Sequence, residues 1–224
     1  MSRLKQQEHI EQMRRDWDER ARENARYYVN TEREDWTDEQ FFASGERTVA
    51  EEILTDMINI CQGKDPKEMK VLEIGCGAGR VTRALAGLFG EVYGVDISGE
   101  MIARAKHALA GFPNAHLYQN SGSDLAVLGN VEIDFAFSSI VFQHIPSREV
   151  IENYVREVHR LLRSGGLFKF QVQGVPSIEA KLDSWLGVSF SDEEAVQLAE
   201  RCGFEPRHRH GQGHQYFWLW FFKK

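Results

Sequence analysis

Three glycines, Gly75, Gly77 and Gly79, close the run VLEIGCGAGR that extends from Val71 to Arg80. A hydrophobic strand that passes through such a loop straight into a helix turns sharply and leaves bare backbone for a ligand to touch, with the unpaired N–H groups of a helix N-terminus beside it. The spacing implies a cofactor site, although a tight strand-to-helix turn also selects glycine for structural reasons alone. A second feature bears on the choice. The next strand-like run, EVYGVD, ends in Asp96, 17 residues beyond Gly79, at the carboxyl edge where doubly wound folds bind ligands. A carboxylate there accepts hydrogen bonds from both hydroxyls of a ribose, at roughly 1.5–3 kcal/mol for bonds to a charged group. The structural alternative for Asp96 is a helix N-cap before Ser98.

Spacing also separates the possible cofactors. The dinucleotide fingerprint GxGxxG/A places its last small residue where this chain has Arg80, and an arginine obstructs the close helix–strand packing which that residue permits. The third glycine arrives one residue early, a pattern suited to S-adenosylmethionine, a ligand without a bridging pyrophosphate. The lysine and hydroxyl pair of a nucleoside-triphosphate loop is also absent. A nicotinamide-dependent oxidoreductase and a kinase are both disfavoured.

Around these residues the sequence alternates short β-type runs with helical ones from Lys70 onward: VLEI, then Arg80 to Leu88; EVYGVD, then Glu100 to Leu109; AHLYQ; IDFAFSS, then Arg148 to Leu162; LFKFQVQ. That alternation predicts βαβ units and a parallel sheet, hence a Rossmann-like α/β fold. Ile151, Val155, Val158 and Leu162 form one apolar stripe, and Ser164-Gly165-Gly166 supplies a helix stop. Gly174 and Pro176 open a segment with Trp185, Leu186 and Phe190. SDEEAVQLAERCGF has a serine cap, acidic first-turn residues and a terminal glycine, as a helix should. The tail EPRHRH, GQG, HQYFWLWFFKK predicts an antiparallel hairpin. Upstream, Ile10, Met13, Trp17, Ala21 and Tyr28 fall near helical spacing, and a second helix from Asp38 to Ile60 turns Phe41, Phe42, Val49, Ile53, Leu54, Met57 and Ile58 inward. The division expected is a helical cap over 1–69 and a core over 70–224, together one structural domain.

VLEIGCGAGR, VYGVDIS, NSGSDL, IDFAFSSIVFQHI and the helix ending LLRSGGLFKF, in this order over Lys70 to Gln173, resemble the class I S-adenosylmethionine-dependent methyltransferases. SDEEAV and the final hairpin are similar to that family's closing elements. The resemblance implies a seven-stranded, mostly parallel sheet with an antiparallel last strand, and S-adenosylmethionine over the carboxyl ends of the first strands. Carried over, Gly75 and Gly77 approach the methionine portion and ribose, with Cys76, Gly79 and Arg80 in the same loop and Glu73 beneath it. Asp96 holds the ribose and Ile97 lies against the adenine. Gly122, Ser123 and Asp124 match the position near the adenine amine; the chain departs there from the commonest Gly-Asp pair, which leaves Leu125 and Asp124 as alternative anchors. Ser138 and Ser139 join the cofactor set. Ser138 to Ile145 is where the family places residues between methyl donor and acceptor, so Ser139, Phe142, Gln143 and His144 are candidates to touch the acceptor.

His144 is the candidate general base, its ordinary pKa lying near working pH; helix capping is its structural alternative. Tyr27, Tyr28, Phe41 and Phe42 are candidates for closing over cofactor and substrate, aromatic faces being suited to a sulfonium or an ammonium, or for packing the cap. His208, His210 and His214 invite a metal, but with no Cys or acidic partner in the cluster solvated histidines are expected and no metal is assigned. The run from Phe217 to Phe222 reads as a buried strand rather than a dimer patch.

Composition bounds the rest. With 224 residues, 42% hydrophobic and 27% charged, 19 Gly and 5 Pro, the chain is globular rather than disordered or collagen-like. Three scattered cysteines give no disulfide framework or zinc pair. A net charge of −7 without a basic run argues against nucleic acid and for a small-molecule methyl acceptor. The charge-alternating N-terminal segment and the short apolar runs predict no membrane partner and a cytoplasmic monomer or homodimer. A non-catalytic protein that keeps the nucleotide pocket is the rival to an enzyme.

Overall fold

The computed structural model describes residues 3–175, 185 and 187–224. Pro176 and Leu186, which the sequence places after Gly174, lie outside the described residues. Seven strands follow the order β3-β2-β1-β4-β5-β7-β6 in one mixed, mostly parallel sheet. The chain groups into two compact units, residues 14–120 and residues 1–13 with 121–224, a different cut from the expected cap and core boundary at 69/70.

In the first unit, β1 (Lys70–Ile74), β2 (Glu91–Asp96) and β3 (Ala115–Gln119) run parallel, with Leu72 opposite Tyr93 and Gly94 opposite Leu117. Helices α4 (Arg80–Leu88) and α5 (Gly99–Ala108) connect them. Helix α1 (Arg3–Val29) has a non-helical residue at Asn24 (φ −159°, ψ 82°). The Asn24 side-chain oxygen accepts from Tyr27 N at 3.2 Å and so recaps the last turn. This kink takes Tyr28 out of the expected stripe: Ala21 and Ala25 are buried, whereas Tyr28 is half-buried and donates to Glu23.

A capping box between Thr37 and Gln40 starts α2 (Asp38–Glu52). The helix does not reach Ile60. At Ile53 it tightens into a 3₁₀ turn over Leu54–Asp56 before α3 (Met57–Cys61), which ends on left-handed Gln62. The change of helical pitch rotates the faces. Ile53 and Ile60 are buried, but Leu54 and Ile58 are 51% and 89% exposed, contrary to the inward placement expected for both.

In the second unit, β4 (Ile133–Ser138) and β5 (Leu162–Val172) are parallel, β7 (Phe217–Lys223) pairs antiparallel with β5, and β6 (Phe204–His210) pairs antiparallel with β7. Helix α6 (Arg148–Leu161) passes into β5 without a glycine cap. The register jumps from Ile133 opposite Leu162 to Phe135 opposite Leu167, so Ser164-Gly165-Gly166 forms a bulge inside the strand rather than the expected helix stop. A Cβ on Gly166 would sit 3.0 Å from the Asp134 carbonyl. Helix α7 (Asp192–Arg201) has the Ser191–Glu194 capping box. Phe168 and Phe170 stack at 4.1 Å and meet Phe142 and Phe221, forming the aromatic core of this unit. His208, His210 and His214 are exposed, and among the described residues no group of metal-binding side chains is found. No helix among them is long and apolar enough to cross a membrane.

Candidate active site

Gly75, Gly77 and Gly79 have φ of 74°, 52° and 85°, the left-handed region that glycine enters without cost. The N–H groups of Gly75 and Cys76 both donate to the Val95 carbonyl, at 2.7 and 3.0 Å, which ties the loop to β2. Asp96 then closes it. One carboxylate oxygen accepts from Gly77 N at 2.9 Å and the other from Ser98 N at 2.8 Å. The N-cap of α5 is Ser98, whose Oγ accepts from Met101 N, so Asp96 is not the cap that the structural alternative envisaged. Burial raises the Asp96 carboxyl to about 6, against its backbone hydrogen bonds and with help from Asp18.

Glu73 is buried below the loop. Desolvation raises it to about 7, while the Thr82 hydroxyl, donating at 2.5 Å, and the nearby Arg80 favour its charged form. The Cys76 side chain packs with Ile102, Ala105, Leu109 and Leu117, and burial pushes its thiol well up; its Sγ lies 3.9 Å from the Gly77 carbonyl. Gly79 is tight for a packing reason as well, since a Cβ there would lie 2.6 Å from Leu109 Cδ1. Ile97 is buried, and its carbonyl accepts from the Gln119 amide.

The helical segment covers this loop. A Cβ on Gly77 would stand 2.8 Å from Val29 Cγ2, and Ala21, Ala25, Trp36 and Phe41 cluster with Ala78 and Met101. Phe41 is thus a core residue, edge-on to Trp36 and Phe42. Phe42 carries the Arg83 guanidinium 4.5 Å above its ring, and Tyr27 and Tyr28 meet edge to face at 5.2 Å. Asp18, on α1, accepts from Ser98 Oγ at 2.6 Å and Glu100 N at 3.2 Å, and Arg22 pairs with Glu100. Arg80 reaches α2, donating to the Ser44 carbonyl and Thr48 Oγ1. Nothing in the sequence marked Asp18 or Thr48.

The remaining candidates lie in the other unit. Gly122 has φ 87°. Ser123 N and Asp124 N donate to Ser121 Oγ, and Asp124 accepts from Ala126 N at 3.1 Å, the bond of a turn residue, while Leu125 is fully buried. Ser138, the last residue of β4, is buried, and Ser139 after it is half-buried. Ile140 holds a positive φ of 58°, rare for a β-branched residue, and donates its N–H to Gln171 Oε1 at 2.9 Å. Phe142 is a core residue against Tyr154 and Phe170. The His144 Nδ1 lies 2.8 Å from the Trp185 carbonyl; a carbonyl only accepts, so Nδ1 carries the proton and Nε2 is the basic nitrogen, 3.4 Å from the Gln143 amide nitrogen. Gln143 Oε1 is buried without a partner.

Residues 71–166 match a family model described as a methyltransferase domain. The chain is 27% identical over 119 residues to the malonyl-[acyl-carrier protein] O-methyltransferase of Enterobacter lignolyticus, a match covering 53% of this chain and 45% of that relative. The chain thus spans about half the length of the curated relatives it matches. Among solved structures, a complex titled DhpI-SAH superposes with a TM-score of 0.65 at 22% identity, covering 96% of both chains. The magnesium protoporphyrin IX methyltransferase of Synechocystis PCC 6803 with bound SAH gives 0.66 at 17% identity, covering 94% of this chain and 98% of that one. At these identities the likeness is one of fold.

Proposed function

We propose, from the match of residues 71–166 to a methyltransferase-domain family model, that the chain is of the class I kind, binds S-adenosylmethionine and moves the methyl group in line to an oxygen or nitrogen of a small molecule. The observation that carries this reading is the clamp of Asp96 on Gly77 N and Ser98 N. It fixes a half-buried carboxylate beside a left-handed glycine loop, and each of its oxygens keeps a lone pair for a ribose hydroxyl. The cofactor supplies an electrophilic methyl on a sulfonium. The chain's task is then to orient an acceptor and exclude water, which alone yields large accelerations.

Gly75, Gly77, Gly79 and Arg80 attend the methionine end in this reading, Ile97 the adenine, and Gly122 to Leu125 with Ser138 and Ser139 complete the cofactor set. Residues 1–69 act as the cap, with Tyr27, Tyr28 and Phe42 as its candidates to face the substrate and Gln143 as the candidate after β4. Phe41 and Phe142, both buried, support their own units' cores instead. His144 takes the proton of an acceptor hydroxyl on Nε2 as the C–S bond breaks and the C–O bond forms. The tautomer set by Trp185 supports that role. An oxygen acceptor is favoured by what the Enterobacter relative is named for, and a small molecule over nucleic acid by the net charge of −7. A cytoplasmic monomer or homodimer completes the reading.

Isothermal titration with S-adenosylhomocysteine tests it. Binding in the micromolar range is expected; folded protein that takes up neither this ligand nor S-adenosylmethionine would refute the assignment. A screen of hydroxyl and amine acceptors then separates an enzyme from a binding protein.

A further inference from the structure

Helix α1 meets the start of α5 along one face, on which Asp18, Ala21, Arg22 and Ala25 fall at helical spacing. The two alanines are buried in one cluster with Ala78 and Met101. Arg22 pairs with Glu100 at 3.1 Å. One oxygen of Asp18 accepts from Ser98 Oγ at 2.6 Å and from Glu100 N at 3.2 Å.

Ser98 is fully buried and joins this face to the Asp96 clamp. Its N–H holds one Asp96 oxygen at 2.8 Å, and its hydroxyl oxygen accepts from Met101 N at 3.1 Å. A serine hydroxyl has one proton to give. That proton goes to Asp18, at a distance typical of a bond to a charged acceptor.

The destination of that proton bears on what Asp96 can do. Asp96 is the other carboxylate beside Ser98, and each of its oxygens already takes one backbone N–H, from Gly77 and from Ser98. A further donor, from the Ser98 side chain, would occupy a lone pair that a ribose hydroxyl needs. Asp18 draws that donor away. It also places a second negative charge near Asp96, which adds to burial in raising that carboxyl to about 6. The other titratable groups acting with Asp96 are Glu73 from β1 and the Cys76 thiol from the loop. On α5, Glu100 is matched by Arg22, and Gln119, opposite Asp96 on β3, is neutral.

We propose that Asp18 is a positioning residue of the cofactor site: by holding the Ser98 hydroxyl it keeps Asp96 open to the ribose, so that nucleoside binding requires α1 to be docked on α5. This rests on the reading of Asp96 as the ribose acceptor and adds a control from outside the glycine loop. Two effects of the contact are separable. The hydrogen bond needs only an acceptor oxygen at position 18, whereas the field on Asp96 needs a charge there.

Isothermal titration of the full chain with S-adenosylhomocysteine, at pH 8 and pH 5.5, tells them apart. D18A, which releases the Ser98 proton, should bind about tenfold more weakly than wild type at pH 8, the scale of one hydrogen bond to a charged group. D18N keeps an oxygen for Ser98 Oγ and Glu100 N, so it should bind within about threefold of wild type at pH 8. Between pH 8 and 5.5 it should lose about threefold less affinity than wild type, because Asp96 without a negative neighbour stays ionised to lower pH. A D18A that binds as wild type at pH 8 overturns the proposal. So does a D18N that loses as much affinity as wild type between the two pH values, the behaviour of a mere tether for α1; this arm stands even if D18A does not fold. Wild-type protein without affinity for S-adenosylhomocysteine instead removes the ribose acceptor itself, and the proposal with it.

Discussion

Asp96 is at once part of the loop's hydrogen bonding and the acceptor proposed for the ribose, and its raised pKa separates the two roles experimentally. With the carboxyl at about 6 in the folded protein, the ionised acceptor that ribose hydroxyls need is complete above pH 7 and is lost as pH falls. The affinity for S-adenosylhomocysteine should be flat from pH 7 to 9 and weaken below pH 6, by up to about tenfold per unit. D96N should bind about 10- to 100-fold more weakly at pH 8 and lose this slope. Titrations at five pH values check it; a D96N profile with the wild-type slope would assign the titration to another group. Gly77 and Asp96 were legible in the sequence because a left-handed turn and a strand-end carboxylate restrict residue type. Asp18 and Thr48 were not. A threonine or an aspartate on a charged helix carries no sign of the partner 32 or 80 positions away that it will bond.

Elements were legible where the local rule and the tertiary context agree. The serine cap at Ser191, the strand EVYGVD and the C-terminal hairpin follow from sequence alone. The break of α2 at Ile53 and the bulge at Ser164–Gly166 do not, because each answers to packing rather than to propensity. The crossing of α2 over the start of α4 makes this concrete. Adding one methyl at Gly45 drives a Cβ to 2.0 Å from the Arg80 carbonyl oxygen and 2.7 Å from its carbon, atoms that move only if the helices part. Gly45→Ala should therefore cost about 3 kcal/mol or more in urea unfolding and lower the affinity for S-adenosylhomocysteine with it. Gly87→Ala, near the exposed end of α4 with nothing within 4 Å of the new Cβ, should instead stabilise by up to about 1 kcal/mol. Similar losses for both would show that helix propensity, and not the close approach, governs Gly45. In the other unit Ile140→Gly, which relieves the left-handed residue, should raise stability by about 1 kcal/mol. A loss there would place the value of Ile140 in its side chain.

At the scale of the whole molecule, the desolvated acids beneath and beside the loop make stability depend on pH in an unusual sense. A carboxyl whose folded pKa is raised binds its proton more tightly in the native than in the unfolded chain, so folding is favoured on the acid side and that advantage is lost as pH rises through the folded value. Glu73, raised from 4.5 to about 7, and Asp96, raised from 3.8 to about 6, both act in this direction. Between pH 5.5 and 8 Glu73 alone should remove about 2 kcal/mol, at 1.36 kcal/mol per unit. Glu152, Asp192 and Glu194, whose pKa values are lowered beside arginines, act oppositely, but they are mostly solvated and their effect belongs below pH 5. Protein without cofactor should therefore unfold at lower urea at pH 8 than at pH 5.5. In E73Q, which keeps an acceptor for the Thr82 hydroxyl and has no charge to desolvate, most of that difference should vanish. An E73Q as pH-sensitive as wild type would mean that Glu73 stays ionised in the fold, with Arg80 as its effective counterion.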